Sequence, residues 1–246
     1  LMTHDRGFLE TMWKVVEPAI DFVLDLQTPR GEIIWAMHPD GTPWSYSLLT
    51  GSSSICHSLR CASSTAEELG HERPDWELSL ANLAHVIRKY PDKAFAPKER
   101  WAMDWYYPVL SGVVTGDQGK SILSEKAELF IMEDMGIRCV SDQPWVTTAE
   151  TCECSIAYLV VGDNQKAESL FRWSQFMRQS DGHYLTGLVH PEKQSFPENE
   201  KTTYSAAAVN LPADAISQSS PASGIFTNRA GLPEIISTEE HILDPD

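Results

Sequence analysis

In the stretch Ser141-Asp142-Gln143-Pro144-Trp145-Val146-Thr147-Thr148-Ala149-Glu150-Thr151-Cys152-Glu153, two carboxylates stand three residues apart, about one helical turn. Burying a carboxylate is costly unless it is hydrogen-bonded, and such a setting raises one of a pair toward the working range of a general acid. The spacing Thr147-x-x-Glu150 is also that of a capping box, in which Glu150 would only satisfy the Thr147 backbone N–H. That reading leaves Glu153 unexplained. A third carboxylate, Asp104, sits in Trp101-Ala102-Met103-Asp104-Trp105-Tyr106-Tyr107-Pro108, among four large rings. A first-turn Asp complements a helix dipole and rings fill cores, but sugars present C–H faces that stack on such rings. Trp101, Trp105, Tyr106, Tyr107, Asp142, Trp145 and Tyr204 therefore form the candidate binding set, with Glu150, Asp104 and Glu153 as the candidate catalytic acids.

Other reactive side chains carry less. Ser52, Ser53 and Ser54 open a helical segment with no His or Asp at a motif distance, so they read as caps or ligand hydrogen-bonders. Thr202, Thr203 and Tyr204 read as an N-cap followed by one tyrosine. Cys139, Cys152 and Cys154 raise the question of zinc. Residues two apart on a helix point about 200° away from each other, and no Cys-x-x-Cys or His-x-x-His accompanies them. Buried thiols are the simpler reading, and neither a metal nor a cofactor is expected.

These groups need a scaffold, and the glycines mark one. Gly70, Gly116 and Gly162 recur 46 residues apart, an interval typical of helical-hairpin arrays. Each is expected to close an inner helix as a left-handed cap (52–69, 104–115 and 146–161). Each precedes an amphipathic outer helix, such as Trp76, Leu80, Leu83, Ile87, Tyr90. An outer helix at about 8–27 and a last inner helix at about 201–217 bring the expected total to about eight, with Pro18 and Pro212 kinking two of them. The inner helix that should precede the first is missing, so the chain reads as truncated before Leu1. Long connections at about 28–49, 91–102, 136–145 and 181–200 hold the aromatic and polar material and mark the functional end. One helical domain is expected over 1–226, and an extended or flexible tail over 227–246.

Composition narrows the partners. The 246 residues are 42% hydrophobic, enough for a core, and the formal charge of -16 repels a phosphate backbone. Nucleic acid and anionic membranes are therefore not expected as partners, and no apolar run reaches the roughly 20 residues of a bilayer span. Five cysteines do not make a disulfide framework and suggest reduced thiols in the cytoplasm.

The blocks Asp104-Trp-Tyr-Tyr-Pro-Val-Leu-Ser-Gly112, Pro144-Trp-Val-Thr-Thr-Ala-Glu150-Thr-Cys-Glu153 and Thr202-Thr-Tyr-Ser-Ala-Ala-Ala208 carry a family resemblance. So do Gln27-x-x-x-Gly31-x-x-x-Trp35 and Gln179-Ser-Asp-Gly182-His-Tyr184. Over about 8–226 the chain resembles bacterial α/α-toroid proteins labelled prenyltransferase-like, and among them the methylmannose polysaccharide hydrolases of actinobacteria. The resemblance implies an all-α fold, an incomplete (α/α)6 toroid with four of twelve helices upstream of Leu1; Pro212 departs from its pattern. Toroids also serve terpenoid cyclases and prenyltransferases, but the chain has no Asp-x-Asp-Asp acid motif and no zinc ligand set. The glycosidase reading makes Glu150 the general acid, with Asp104 or Glu153 as base, acting on a carbohydrate partner, and inversion is the outcome the resemblance implies. The alternative is a non-catalytic toroid that binds carbohydrate or isoprenoid. An incomplete toroid would also expose apolar flanks, which favours homo-oligomers.

Overall fold

The computed structural model describes residues 1–227 and 231–235, and the chain divides into two compact units. The first comprises Leu1–Pro97 and the segment from Gly231; the second comprises Lys98–Ala230. The single domain expected over 1–226 is thus two units. Most of the expected tail lies outside the described residues, but Leu232 is buried and the Pro233 carbonyl accepts from Arg60 Nε at 3.1 Å, so this stretch packs on the first unit.

The first unit is built from helices α1 (Arg6–Leu24), α2 (Leu49–Leu69), α3 (Pro74–Lys89) and the single turn α4 (Pro91–Ala94). Asp5 caps α1 by accepting from Phe8 N at 2.9 Å, and the helix runs through Pro18. The nearly uncharged α2 ends where Gly70 takes φ 80°, as its sequence suggests. Ser52 and Ser53 are not caps: Leu48 holds that position, and both serines are buried inside the helix. Trp13 of α1 stacks on His71 and packs against Trp76 of α3, which closes this hairpin.

In the second unit the inner helices are α5 (Ala102–Leu110), α8 (Thr148–Val160) and α10 (Thr203–Ser217). The outer ones are α6 (Gly116–Glu125) and α9 (Asn164–Ser174), with single turns α7 (Ala127–Phe130) and a 3-10 turn at Gln175–Met177. Residues 148, 149 and 151–158 of α8 are all buried, because α5, α9 and α10 all pack against it. The expected role of Gly116 is corrected. Helix α5 ends at Leu110, Gly112 takes the left-handed turn at φ 74°, and Gly116 begins the next helix. The side chains of Val113 and Val114 bury in the core and pull the chain out of helix early.

The helical class stands, with helical hairpins in each unit, but the sequence reading missed a sheet. Five antiparallel strands run in the order β1 (Ile131–Met132), β2 (Gly136–Arg138), β3 (Trp145–Thr147), β4 (Gly187–Val189) and β5 (Gln194–Phe196). Val146 and its partner Leu188 face a small core with Met135, Met177 and Leu185. Gly187 is required at the centre: a Cβ there would lie 2.6 Å from the Val146 carbonyl oxygen and 3.2 Å from that of Phe196. Gly187→Ala is expected to cost about 2 kcal/mol in urea unfolding, since backbone on both sides must move. An unchanged midpoint would mean the strands are looser than described.

The sheet aligns the inner helices. Ala102 N donates to Cys139 O at 3.0 Å, and Cys139 N to Trp145 O at 2.9 Å. Thr148 N donates to Thr186 O and Thr186 N to Glu200 O, both at 2.9 Å. The N-terminal ends of α5, α8 and α10 are therefore tied to one another through the backbone, which gathers their first turns at one end of the unit.

Candidate active site

Strand β3 runs without a break into α8, so Thr147 is at once the last strand residue and the helix N-cap. Its hydroxyl makes no cap bond; it donates instead to Glu150 Oε2 at 2.5 Å. This is not a capping box. The Thr147 carbonyl accepts from Thr151 Oγ1 at 2.6 Å, and Thr151 Oγ1 accepts from Ile137 N at 2.9 Å, which anchors the turn to β2. Glu150 is half-buried, and among the described residues no group hydrogen-bonds its Oε1. One oxygen is held and the other is available to a ligand.

Glu153 is one turn deeper and in a different situation. It is buried, and it accepts from Tyr106 Oη at 2.6 Å and Tyr204 Oη at 2.7 Å, one on each oxygen. Burial raises its pKa, the neighbouring Glu150 charge adds to that, and hydrogen bonds from Tyr106, Tyr204 and Tyr107 act against it. Burial likewise pushes the Tyr106 hydroxyl well above the ordinary tyrosine range, with the Glu153 charge second, so it remains a donor. Glu153 is therefore held by two tyrosines, one on each oxygen, and is not a second free carboxylate. Tyr106 is fully buried, so its contribution is the bond to Glu153; Tyr107 is half-buried, and Tyr204 remains 52% exposed on the first turn of α10, where Thr202 supplies the expected cap to Ser205 N.

Asp104 lies in the first turn of α5, half-buried, at the same end of the unit. Its neighbour Trp105 is a correction: it is buried against Phe130 with centroids 5.4 Å apart, and its Nε1 donates to Ile122 O, so no ligand reaches it. Trp101 is exposed, with the Arg100 guanidinium 5.3 Å from its ring centroid. Arg100 also pairs with Asp142 at 2.8 Å and holds that carboxyl below its usual range, so Asp142 ties the turn after β2 to the segment that leads into α5. Trp145 stacks on Phe196, 4.3 Å between centroids. Register places Thr147, Gly187 and Phe196 on one sheet face, and Trp145 shares it two residues from Thr147. The ring pair and the hydroxyl that holds Glu150 are thus side by side. The place of Phe196 was not legible, since only the non-local β3–β4–β5 pairing brings it to Trp145, and the roles of the tyrosines follow from the packing of α5 and α10 against α8.

The thiols are core groups. Cys152 packs with Ala149, Ala208 and Val209, whereas Cys154 belongs to the separate cluster around Trp105 and Ile156. Burial pushes the Cys152 thiol up to about 12 and Cys139 up to about 11. Among the described residues no group of three or more His, Cys, Asp or Glu side chains is placed to hold a metal, and no helix is long and apolar enough to cross a membrane.

No family model matches the chain. It is similar to a curated protein of Mycolicibacterium hassiacum named MMP endo-(1,4)-3-O-methyl-alpha-D-mannosidase, with 46% identity over 226 residues. The match covers 92% of this chain. The chain spans 62% of the length of that relative.

Proposed function

We propose that the chain carries the proton-transfer carboxylate of a glycoside hydrolase that cleaves internal (1→4) bonds between 3-O-methyl-α-D-mannose units. The observation that carries this reading is the 46% identity to a protein named for that activity over 92% of the chain. The geometry supports it: Glu150 has one oxygen fixed by Thr147 and one open, beside the Trp145–Phe196 rings. A neutral sugar also suits a chain with a formal charge of -16.

In this reading Glu150 Oε1 gives its proton to the glycosidic oxygen as the bond to the anomeric carbon breaks and the electron pair leaves with that oxygen. Asp104 takes a proton from the water that attacks the anomeric carbon. Glu153, with both oxygens engaged, keeps the tyrosines in place. A carboxyl separation of about 6.5 to 9.5 Å goes with inversion and one of about 5 to 5.5 Å with retention. The five free thiols, four of them buried, support a reducing compartment such as the cytoplasm.

The test is release of new reducing ends from a (1→4)-linked 3-O-methyl-α-mannose oligosaccharide. Intact substrate after prolonged incubation would overturn the reading. Thr147→Val should lower kcat about tenfold with KM nearly unchanged, because Glu150 loses its orienting donor but not its carboxyl, and Thr147→Ser should restore the rate. Equal kcat in the valine and native forms would remove Thr147 from the mechanism.

A further inference from the structure

The ring pair beside Glu150 is built in a way that bears on which sugar it takes. Register puts Trp145 in line with Val189 and Gln194, and Phe196 in line with Gly187 and Thr147, so the two rings start two strands apart and out of step along the strands. Strands that far apart are separated by about 9.5 Å. The ring centroids are nevertheless 4.3 Å apart, with 17° between the planes. The rings therefore lean toward each other over β4, and they can do so because Gly187 adds no side chain to the row that holds Phe196. The other face of these strands is closed, with Val146 and Leu188 buried in the small core beside Met177. Trp145, Val189 and Phe196 are each half-buried and so keep part of their surface for a ligand.

This face offers little for a hydroxyl to bond. Across β3, β4 and β5 its residues are Trp145, Thr147, Gly187, Val189, Gln194 and Phe196, none of them ionic. Thr147 is 5% exposed and its hydroxyl proton goes to Glu150, while Gln194 stands at the exposed start of β5. Among the described residues the Trp145 indole N–H has no hydrogen-bond partner, and an indole is a donor only. A sugar hydroxyl set against Trp145 and Phe196 would thus meet a donor but no acceptor for its own proton, and would lose hydration without replacement. A methyl ether has no such proton. Its oxygen can accept from the indole, and its methyl group covers ring carbon that water would otherwise touch.

We propose that Trp145, Val189 and Phe196 seat the 3-O-methyl group of the sugar and make the site selective for the methyl ether over a free 3-hydroxyl. The inference rests on the hydrolase reading for the identity of the sugar, and adds to it the residues that distinguish the methylated unit. One extra carbon in an apolar seat is worth about 10- to 100-fold in discrimination.

The experiment compares two (1→4)-linked α-mannose oligosaccharides of equal length, one 3-O-methylated and one unmethylated, on the whole native chain and on Phe196→Ala and Val189→Thr. Native kcat/KM should favour the methylated sugar by about 10- to 100-fold. Phe196→Ala should bring the ratio to within about threefold of one, chiefly by slowing the methylated substrate. Val189→Thr keeps the β-branched shape and supplies an acceptor, so it should narrow the ratio by raising the rate on the unmethylated sugar. This second variant decides the matter should urea unfolding show that Phe196→Ala does not fold. A native ratio near one would overturn the proposal, and so would a native ratio kept in both variants. Cleavage of neither sugar would remove the hydrolase reading alone. The same comparison of Kd by calorimetry then decides: a preference for the methyl ether that the variants lose sustains the seat, and equal affinities overturn it.

Discussion

Glu150→Gln is expected to lower turnover of the methylated mannose oligosaccharide by about 10²- to 10⁴-fold, the usual share of a positioned proton-transfer group. The substitution isolates chemistry from architecture. The glutamine carbonyl can still accept from the Thr147 hydroxyl, and the backbone bonds that join β3 to its neighbours do not involve the carboxylate. What is lost is the proton at the open oxygen. KM should therefore change little, and the far-ultraviolet spectrum and melting temperature should match the native protein. Initial rates of reducing-end formation for the two proteins check this, and a variant within a few-fold of native turnover would move the proton transfer to another residue.

The second large effect is on stability. Glu153→Leu is expected to cost about 2 kcal/mol, the penalty for leaving a buried hydroxyl without an acceptor. Tyr106 is fully buried and loses its acceptor, whereas Tyr204 is half exposed and can turn to water. Glu153→Gln separates packing from charge. Since burial raises the Glu153 pKa, the folded protein keeps a proton that the unfolded chain, near its ordinary value of 4.5, has already released. Native stability should therefore fall as pH rises from about 4.5 through the raised folded value, and this slope should vanish in Glu153→Gln. Urea unfolding across that range reads both effects. An identical slope in native protein and Glu153→Gln would mean that Glu153 is solvated in the folded state.

What the residues disclosed in advance follows from the range of the interactions involved. Inner helices were legible because long segments with few charges, closed by Gly70 and Gly162, encode their own burial and caps. Gly116 misled because the burial of Val113 and Val114, a tertiary event, decides where α5 ends. Strands of two or three residues have too little length to show alternation, and β3 meets β4 across some 40 residues of sequence, so nothing local announced the sheet. The same holds for the site. Glu150 and Glu153 were evident as a pair, but their division of labour was not: a threonine hydroxyl leaves one open, and tyrosines from α5 and α10 close the other. Trp105 and Tyr106 show the converse, since ring type alone does not say whether a ring faces a ligand or the core.

The central claim is that a sugar bond is broken at the open oxygen of Glu150. A crystal structure of Glu150→Gln bound to an uncleaved (1→4)-linked 3-O-methyl-α-mannose oligosaccharide tests it most directly. The glutamine amide should lie within hydrogen-bond reach, about 2.6 to 3.2 Å, of a glycosidic oxygen, with a sugar ring against Trp145 or Phe196. An oligosaccharide bound with its glycosidic oxygens beyond the reach of residue 150 would contradict it.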